Sequence, residues 1–233
     1  MGTLSVLLPA VLLLGSLGEP RTVNLFDGSR EVFEGHWREK KLRRPLTRYE
    51  VVEDGDQAVL MARSRKSASA VWRQLKLDPF QTGSITWRWK VARSLVGDQD
   101  ERQKAGDDYA ARVYVFFGRV PFGRKTRGIC YVWAGTQPVG SAYTSPYSGD
   151  IVTIVLRSGD ALAGRWSTEE RDLVADYERH FGGHPEKVFA VGLLVDSDDT
   201  GTEATGWFDD IVLHLDGATG SAGVGTKPMQ QLR

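Results

Sequence analysis

Acidic residues are concentrated in the stretch VDSDDTGTEATGWFDDIVL, residues 195–213, which holds six carboxylates. Carboxylates at this density suit metal binding, general acid–base catalysis or a polar turn. The spacing of the individual residues bears on each of these interpretations.

The first part of this stretch resembles a calcium loop. Asp196 and Asp198, followed by Thr200 and Gly201, place oxygen ligands on alternate residues before a glycine, and calcium takes about six to eight oxygens. The twelfth position counted from Asp196 is Trp207 rather than Glu, which excludes a helix-flanked calcium loop. The alternative is a turn whose Asp side chains accept hydrogen bonds from their own backbone amides. The sequence favours the turn, and a metal site with Asp196 and Asp198 remains the alternative.

A second group of polar side chains lies on DDYAARVYVFF, residues 107–117. Because strand side chains alternate between two faces, one face is predicted to carry a mixed set: Asp108, Ala110, Arg112, Tyr114 and Phe116. The other face is apolar and is predicted to face the core. An Arg in the middle of a strand needs a carboxylate partner or a ligand.

Two further segments alternate in the same way. In SITWRWKV, Arg88 and Lys90 alternate with tryptophans, and in RGICYVWAG, Tyr131 and Trp133 alternate with Cys130 and Val132. If the three strands are neighbours, they form one concave platform with these residues: Arg88, Lys90, Arg112, Tyr114, Tyr131 and Trp133. Together with Asp108, this platform is a candidate ligand-binding site, because rings stack on sugars while charged groups bond hydroxyls or carboxylates. The competing hypothesis is an internal ion-pair network, for example Arg112 with Asp108 under a helix.

Catalysis has the weakest support in the sequence. The pairs Asp107/Asp108 and Asp196/Asp198 could act as general acid and base in glycoside hydrolysis, but their spacing does not place them across a cleft. No serine lies in a nucleophile-elbow context. Cys130, the single cysteine, lies in the apolar run GICYVWAG and is predicted to be a buried thiol. We therefore assign no catalytic residue.

Composition sets limits on the fold and on the partners. The chain has 233 residues, of which 41% are hydrophobic, and this suits one domain with a sizeable core. Its thirty basic and thirty acidic residues cancel, so no overall field attracts nucleic acid, and we expect no nucleic-acid partner. A single cysteine excludes an intramolecular disulfide.

Hydrophobic patterning predicts the elements that position these residues. TRYEVVEDGDQAVLMARS predicts a hairpin around Asp54-Gly55, a dipeptide that tolerates the positive φ angles of a tight turn. About ten such strands predict an all-β fold, a jelly-roll-like antiparallel β-sandwich. One crossover α-helix is predicted in STEERDLVADYERHFGG, residues 167–183, from the capping-box spacing of Ser167 and Glu170.

The two ends of the chain differ from this pattern. Residues 1–18, MGTLSVLLPAVLLLGSLG, carry no charged side chain and predict a cleavable export signal, with an uncleaved N-terminal anchor as the alternative. Residues 19–216 are the predicted β-sandwich domain, and residues 217–233 are predicted to be disordered. We expect a periplasmic or secreted protein with no stable membrane insertion after cleavage.

Five motifs occur in one order along the chain: WRWKV, KAGDDYAARVYVFF, CYVWA, GRWSTEERDLVADYERHFG and VDSDDTGTEATGWFDDI. Over residues 26–213 the chain resembles the bacterial domain of unknown function 3047, a family of exported proteins with no assigned activity. It departs from the family where Ala110 replaces a frequent Pro, Asp199 replaces Asn and Asp209 replaces Gly. The resemblance implies a relative and no activity.

A weaker resemblance concerns the first and last strands. NLFDGSREVFEGHW and WFDDIVL are similar to the edges of jelly-roll carbohydrate-binding modules. In such modules a structural calcium often joins an acidic residue of the last strand to N-terminal residues. The resemblance therefore implies a structural calcium held by Asp210 with Asp27 or Glu31.

The run REKKLRRPLTR, residues 38–48, carries six basic residues and one acidic residue. It is predicted to be a solvated loop or edge strand, and the alternative is contact with an acidic polysaccharide or lipid headgroup. The leading functional hypothesis is non-catalytic binding of a glycan or another cell-envelope component. The alternatives are a polysaccharide hydrolase or lyase and a structural periplasmic domain.

Overall fold

The computed structural model describes residues 21–77, 83–118 and 126–215. The predicted export signal and the predicted C-terminal tail lie outside these residues. The described part contains thirteen β-strands and two α-helices. None of its helices has the length and apolar character needed to cross a membrane.

One sheet has six strands: β1 (Arg21–Phe26), β3 (Arg48–Asp54), β4 (Gln57–Arg65), β6 (Gly83–Val91), β11 (Ser167–Asp172) and β13 (Glu203–Leu215). Their order is β11-β6-β13-β4-β3, and β1 pairs with β13. All of these pairs are antiparallel. In the β3–β4 hairpin Gly55 has a φ of 67°, so the predicted turn at Asp54-Gly55 is confirmed.

The other sheet has seven strands: β2 (Arg38–Arg43), β5 (Ala68–Gln74), β7 (Ala111–Phe117), β8 (Arg127–Ala134), β9 (Ala142–Ser145), β10 (Ser148–Ser158) and β12 (Val188–Leu194). Their order is β2-β5-β12-β7-β8-β10-β9. Its pairs are antiparallel except β8 with β10, which run parallel. The basic strand β2 is exposed along its whole length at the sheet edge, as predicted.

The core lies between the two sheets and is built by strand alternation. In β6 and β7 every second side chain is buried in it: Ile85, Trp87, Trp89, Val91, Ala111, Val113, Val115 and Phe117. The rings of Trp87 and Trp89 meet edge to face, 5.5 Å between centroids. Burying a large apolar side chain contributes about 1.5–3 kcal/mol. The predicted jelly-roll-like sandwich is confirmed.

The crossover helix is shorter than predicted. Ser167–Asp172 is an edge strand paired with β6, and α2 spans only Leu173–Phe181. The helix begins at Asp172, whose side chain accepts hydrogen bonds from the amides of Val174 and Ala175, so the predicted capping box is wrong. Burial alternates through Ser167–Asp172, where every second side chain is more exposed than its neighbours, and this period of two suits a strand paired with β6 better than a helical turn.

Both helices pack against the sandwich. Helix α2 connects β11 of one sheet to β12 of the other, and Tyr177 packs its ring on Phe117 at 5.0 Å. A second helix, α1 (Arg30–His36), was not predicted by the sequence pattern. Ser29 caps it by accepting a hydrogen bond from the Val32 amide, and Phe33 packs against the core.

Candidate functional site

A groove lies on the outer face of the seven-stranded sheet. Strand register places Trp72 of β5 opposite Gly192 of β12, and Gly192 opposite Tyr114 of β7. All three positions face away from the core, because their sequence neighbours Val71, Val113 and others are buried between the sheets. Two aromatic side chains therefore flank a position that has no side chain.

Small residues make this face hollow. Ala70, Gly128 and Gly192 form the floor of a cavity of about 380 Å³, and the walls include Trp72, Tyr114, Phe116, Leu42, Leu194 and Ile151. At Gly192 a Cβ would lie 3.5 Å from the Cβ of Tyr114, an ordinary contact. At Gly128 a Cβ would come within 3.2 Å of the Phe116 ring, so a side chain there would press on the wall.

The walls carry aligned aromatic rings. Tyr114 and Phe116 are two residues apart on β7, and their rings are parallel with centroids 5.6 Å apart. Phe116 also packs against Phe189 at 6.0 Å. Trp72, Tyr114 and Phe116 are each partly exposed and line the groove, so a ligand in the groove can contact their side chains.

The groove continues at one end into an acidic cavity of about 480 Å³. The two cavities share Leu42, Tyr114, Ile151 and Leu194 as lining residues. Charged and phenolic side chains line the acidic cavity: Arg43, Asp107, Arg112, Tyr147, Asp196, Asp198 and Asp199. The groove thus has an apolar aromatic part and an acidic end.

Arg112 holds the base of the acidic end together. Its side chain is 3% exposed, and Nη2 donates to Oδ2 of Asp196 at 2.6 Å. Nη1 donates to Oδ2 of Asp107 at 3.3 Å and to the hydroxyl of Tyr114 at 3.3 Å. The prediction that Asp108 is the partner of Arg112 is wrong. The carboxylates that pair with Arg112 are those of Asp107 and Asp196.

Burial raises the pKa of several carboxyl groups in this cluster. Burial raises the pKa of Asp196 to about 8, although Arg112 opposes the shift. The pKa of Asp107 is raised for the same reason, and burial is also the main cause of the raised pKa of Asp199. Burial raises the pKa of the Cys130 thiol to about 12, which fits the predicted inert thiol.

The predicted turn is present at residues 198–201, where Gly201 has a φ of 68°. Its amides are bonded differently from the prediction, because the donors reach a carboxylate on another segment. Oδ2 of Asp108 accepts from both the amide and the hydroxyl of Thr200 at 2.6 Å each. Asp108 therefore links the start of β7 to the turn.

The structure does not bring the predicted platform together. Tyr131 and Trp133 of β8 lie in the core, 0% and 1% exposed, because their side chains point towards the other sheet. Arg88 and Lys90 of β6 belong to the six-stranded sheet and lie on its outer face. Of the predicted set, only Arg112 and Tyr114 line the groove.

Arg88 and Lys90 have partners on their own sheet. Arg88 bonds Asp209, and its Nε lies 2.9 Å from Oδ2 of Asp210. Lys90 donates to Oδ2 of Asp54 at 2.6 Å. Both cations also lie over the ring of Trp166, 4.7 and 5.1 Å from its centroid. Arg88 and Lys90 therefore form ion pairs, as the competing hypothesis of an ion-pair network predicts, but they do so on the six-stranded sheet and not beside Arg112.

The predicted edge metal set is also dispersed. Asp210 pairs with Arg88, Asp27 accepts hydrogen bonds from Asn24 and the Ser29 amide, and Glu31 lies in the first turn of α1. Among the described residues, one group of three acidic residues has ligand atoms within 4.8 Å of one another: Asp108, Asp198 and Asp199. Asp198 is thus close to other carboxylates, whereas Asp196 is turned towards Arg112.

Sequence reasoning missed Trp72 and Gly192. A glycine inside the strand-like run VFAVGLLVD often marks a close approach to the backbone, and that signal could have pointed to Gly192. Phe116 was placed on the correct face of its strand but was not assigned to the site. Trp72 follows Val71 in an apolar run, so its exposure could not be read from alternation alone.

Comparison with known families adds one result. The model of the family described as "Protein of unknown function (DUF3047)" matches residues 35–212. The chain belongs to the DUF3047 family. No curated protein matches this DUF3047 chain.

Several solved structures resemble this DUF3047 protein in fold. A family 11 carbohydrate-binding module of the cellulosomal cellulase Lic26A-Cel5E of Clostridium thermocellum is 9% identical, with a TM-score of 0.45 over 87% of this chain and 97% of that chain. A family 29 carbohydrate-binding module is 10% identical, with a TM-score of 0.40 over 84% of this chain and 89% of that chain.

Proposed function

We propose that this DUF3047 protein binds a glycan chain in the groove on its seven-stranded sheet. One observation carries the proposal: Trp72 and Tyr114 flank Gly192 and leave a hollow between two accessible rings. The carbon-bound hydrogens of a sugar ring can pack on aromatic faces, while its hydroxyls need polar partners nearby. Polar side chains at the groove margin supply such partners: Lys40, Thr126, Ser148 and Asp150.

The charge of the groove favours a glycan without dense negative charge. Among the residues that line its two cavities, five are acidic and three are basic. A nucleic acid needs a basic groove that tracks its phosphates, and an anionic polysaccharide would meet the carboxylates of the acidic end. A neutral glycan avoids this repulsion and can still donate hydroxyl hydrogen bonds to the carboxylates.

A glycan array tests this proposal. The array should include neutral, acidic and amino-sugar polysaccharides, and it should be probed with the wild type and with Trp72→Ala and Tyr114→Ala. We expect binding to neutral glycans and a loss of about tenfold or more in each variant, the size found for central aromatic contacts. Absence of binding to every glycan, or binding that both variants retain, would contradict the proposal.

The same reagents test the alternative of a hydrolase or lyase. Asp107 and Asp196 are both paired with Arg112, which bonds both oxygens of Asp196 and one oxygen of Asp107. A glycan that binds on the array should therefore remain intact after prolonged incubation with the wild type. New reducing ends or unsaturated products would favour the enzyme, and a folded protein that neither binds nor cleaves would favour the structural role.

The location that suits this function is outside the cytoplasm, in the periplasm or the medium. The apolar run over residues 1–18, which has no charged side chain, supports export. Fractionation of cells that express the full chain tests this location, and a cytosolic protein that retains these residues would contradict it.

A further inference from the structure

The acidic end of the groove has more buried negative charge than buried positive charge. Asp107, Asp108 and Asp196 are 3%, 1% and 6% exposed, and Arg112 is 3% exposed. Asp107 and Asp196 pair with Arg112, whereas Asp108 accepts hydrogen bonds from Asp199 and Thr200 and has no ion-pair partner among the described residues. Buried charges are normally paired or bound to a metal, because an isolated ion loses its hydration energy on burial. This arrangement requires a further cation or the protonation of a carboxylate.

The next observation is the geometry of the neighbouring carboxylates. One oxygen from each of Asp108, Asp198 and Asp199 lies within 4.8 Å of the others. These residues come from two segments, the start of β7 and the turn after β12. Three oxygens at this separation can contact one ion at the distances of about 2.3–2.6 Å that calcium prefers.

Hydrogen bonds fix how each of these carboxylates is oriented. Oδ2 of Asp108 accepts from Thr200, and Oδ2 of Asp199 accepts from the hydroxyl of Tyr147 at 2.6 Å. Oδ2 of Asp198 lies 3.3 Å from the Arg43 guanidinium. Oδ1 of Asp108 also accepts a hydrogen bond from the Asp199 amide at 3.4 Å. These bonds orient the three carboxylates, as second-shell contacts orient ligands in metal sites.

An independent observation comes from Asp107, which lines the same cavity as Asp198 and Asp199. Asp107 is 3% exposed, and its Oδ1 has no hydrogen-bond partner among the described residues. A buried carboxylate oxygen without a donor is energetically costly, because it has lost its hydration without gaining a hydrogen bond. A cation bound among the neighbouring carboxylates would lower this cost through its positive charge.

We propose that Asp108, Asp198 and Asp199 bind a divalent cation of the calcium class at the acidic end of the groove. All three ligands are hard oxygens on partly exposed or loop-linked positions, and calcium accepts such irregular oxygen sets more readily than magnesium does. Waters complete the coordination shell on the open side of the cavity. The site differs from the edge site with Asp210, and it does not depend on glycan binding.

Calorimetry on the full chain tests the site. The protein is treated with EDTA, dialysed, and titrated with calcium chloride, with magnesium chloride as a separate titrant. We expect calcium to bind with one-to-one stoichiometry and at least tenfold more tightly than magnesium. Asp199→Asn should weaken calcium binding at least tenfold, because it removes a charged ligand on a partly exposed turn.

Asp210→Asn is the matched control, because it makes the same change on the other sheet at a positive-φ position that Asn tolerates. It should leave calcium binding unchanged. A wild type that does not bind calcium at millimolar concentration would overturn the proposal. Binding that survives Asp199→Asn but is lost in Asp210→Asn would also overturn it, in favour of the edge site.

A second variant separates a metal site from a structural acidic turn. The side chain of Arg43 is 62% exposed, and it competes with a cation for Asp198 and Asp199 at 3.3 and 4.0 Å. Arg43→Gln should therefore tighten calcium binding, by about threefold or more. Weaker calcium binding in this variant would contradict the proposal. Circular dichroism of each variant confirms that the fold is retained.

Discussion

Trp72 and Tyr114 lie on opposite sides of Gly192 in one row across the seven-stranded sheet. Neither ring lies between the two sheets, although both strands send alternate side chains there. Tyr114 packs against a smaller buried cluster that includes Cys130 and Val132. A strand interior that contains Gly loses packing on that face, so the hollow at Gly192 has a stability cost. Binding of a ligand in the hollow would be a reason for the protein to keep glycine at position 192 despite this cost.

Two tryptophans separate binding from stability. Trp133 is 1% exposed, contacts the Trp89 ring at 6.0 Å and donates its indole hydrogen to the Gly159 carbonyl. Trp133→Ala should lower the free energy of unfolding by about 3–5 kcal/mol, because it leaves a large cavity. Trp72→Ala should lower it much less and should lose glycan binding. Urea unfolding checks the first change, and equal losses of stability would contradict the assignment.

Arg112 is expected to act as a structural ion-pair centre. Arg112→Met should destabilise the fold by about 3–5 kcal/mol, because it leaves Asp107 and Asp196 buried without their partner. Arg65→Met is the control, because its pair with Glu203 is exposed and such pairs contribute about 0–1 kcal/mol. Thermal unfolding measures both variants. A change in Arg112→Met as small as in the control would contradict this role.

Asp209 should make the stability depend on pH. Burial raises the pKa of Asp209, and Arg88, which bonds it, opposes the shift. The folded state then binds more protons than the unfolded state between the unfolded pKa of about 3.9 and the higher folded pKa. The free energy of unfolding contributed by this group therefore falls as pH rises through that window.

Asp209→Asn removes this titration, while Arg88 keeps Asp210 as a partner at 2.9 Å. The variant should show a smaller decrease in the free energy of unfolding than the wild type when pH is raised from about 4 upwards. Urea unfolding at a series of pH values measures this slope. An unchanged or steeper slope would contradict the prediction.

The sequence predicted where strands lie more reliably than it predicted which face of each strand is buried. On β8 both alternating sets are largely apolar, with Tyr131 and Trp133 on one side and Cys130 and Val132 on the other. Alternation separates the sets, but the neighbouring strands and the opposite sheet decide which set is buried. On β7 one set contains Arg112 and the other is wholly apolar, so the buried face could be predicted correctly.

For a related reason, the sequence pattern could not predict which carboxylate pairs with Arg112. The need of Arg112 for a carboxylate was predictable, but Asp196 lies 84 residues away along the chain. Asp108 was the nearer candidate on the same predicted face, and it instead bonds Thr200 across the turn. Long-range strand order brings Arg112 and Asp196 together, because β7 and β12 are neighbours.

Two substitutions at Gly192, compared on the glycan array, test whether a glycan occupies the hollow at this position. Gly192→Ala adds a methyl group that makes only ordinary contacts, whereas Gly192→Leu fills the space between Trp72 and Tyr114. We predict that the Ala variant keeps binding within about threefold and that the Leu variant loses at least about tenfold, with both variants folded. If the folded Leu variant binds glycan as tightly as the wild type does, no glycan occupies the hollow at Gly192.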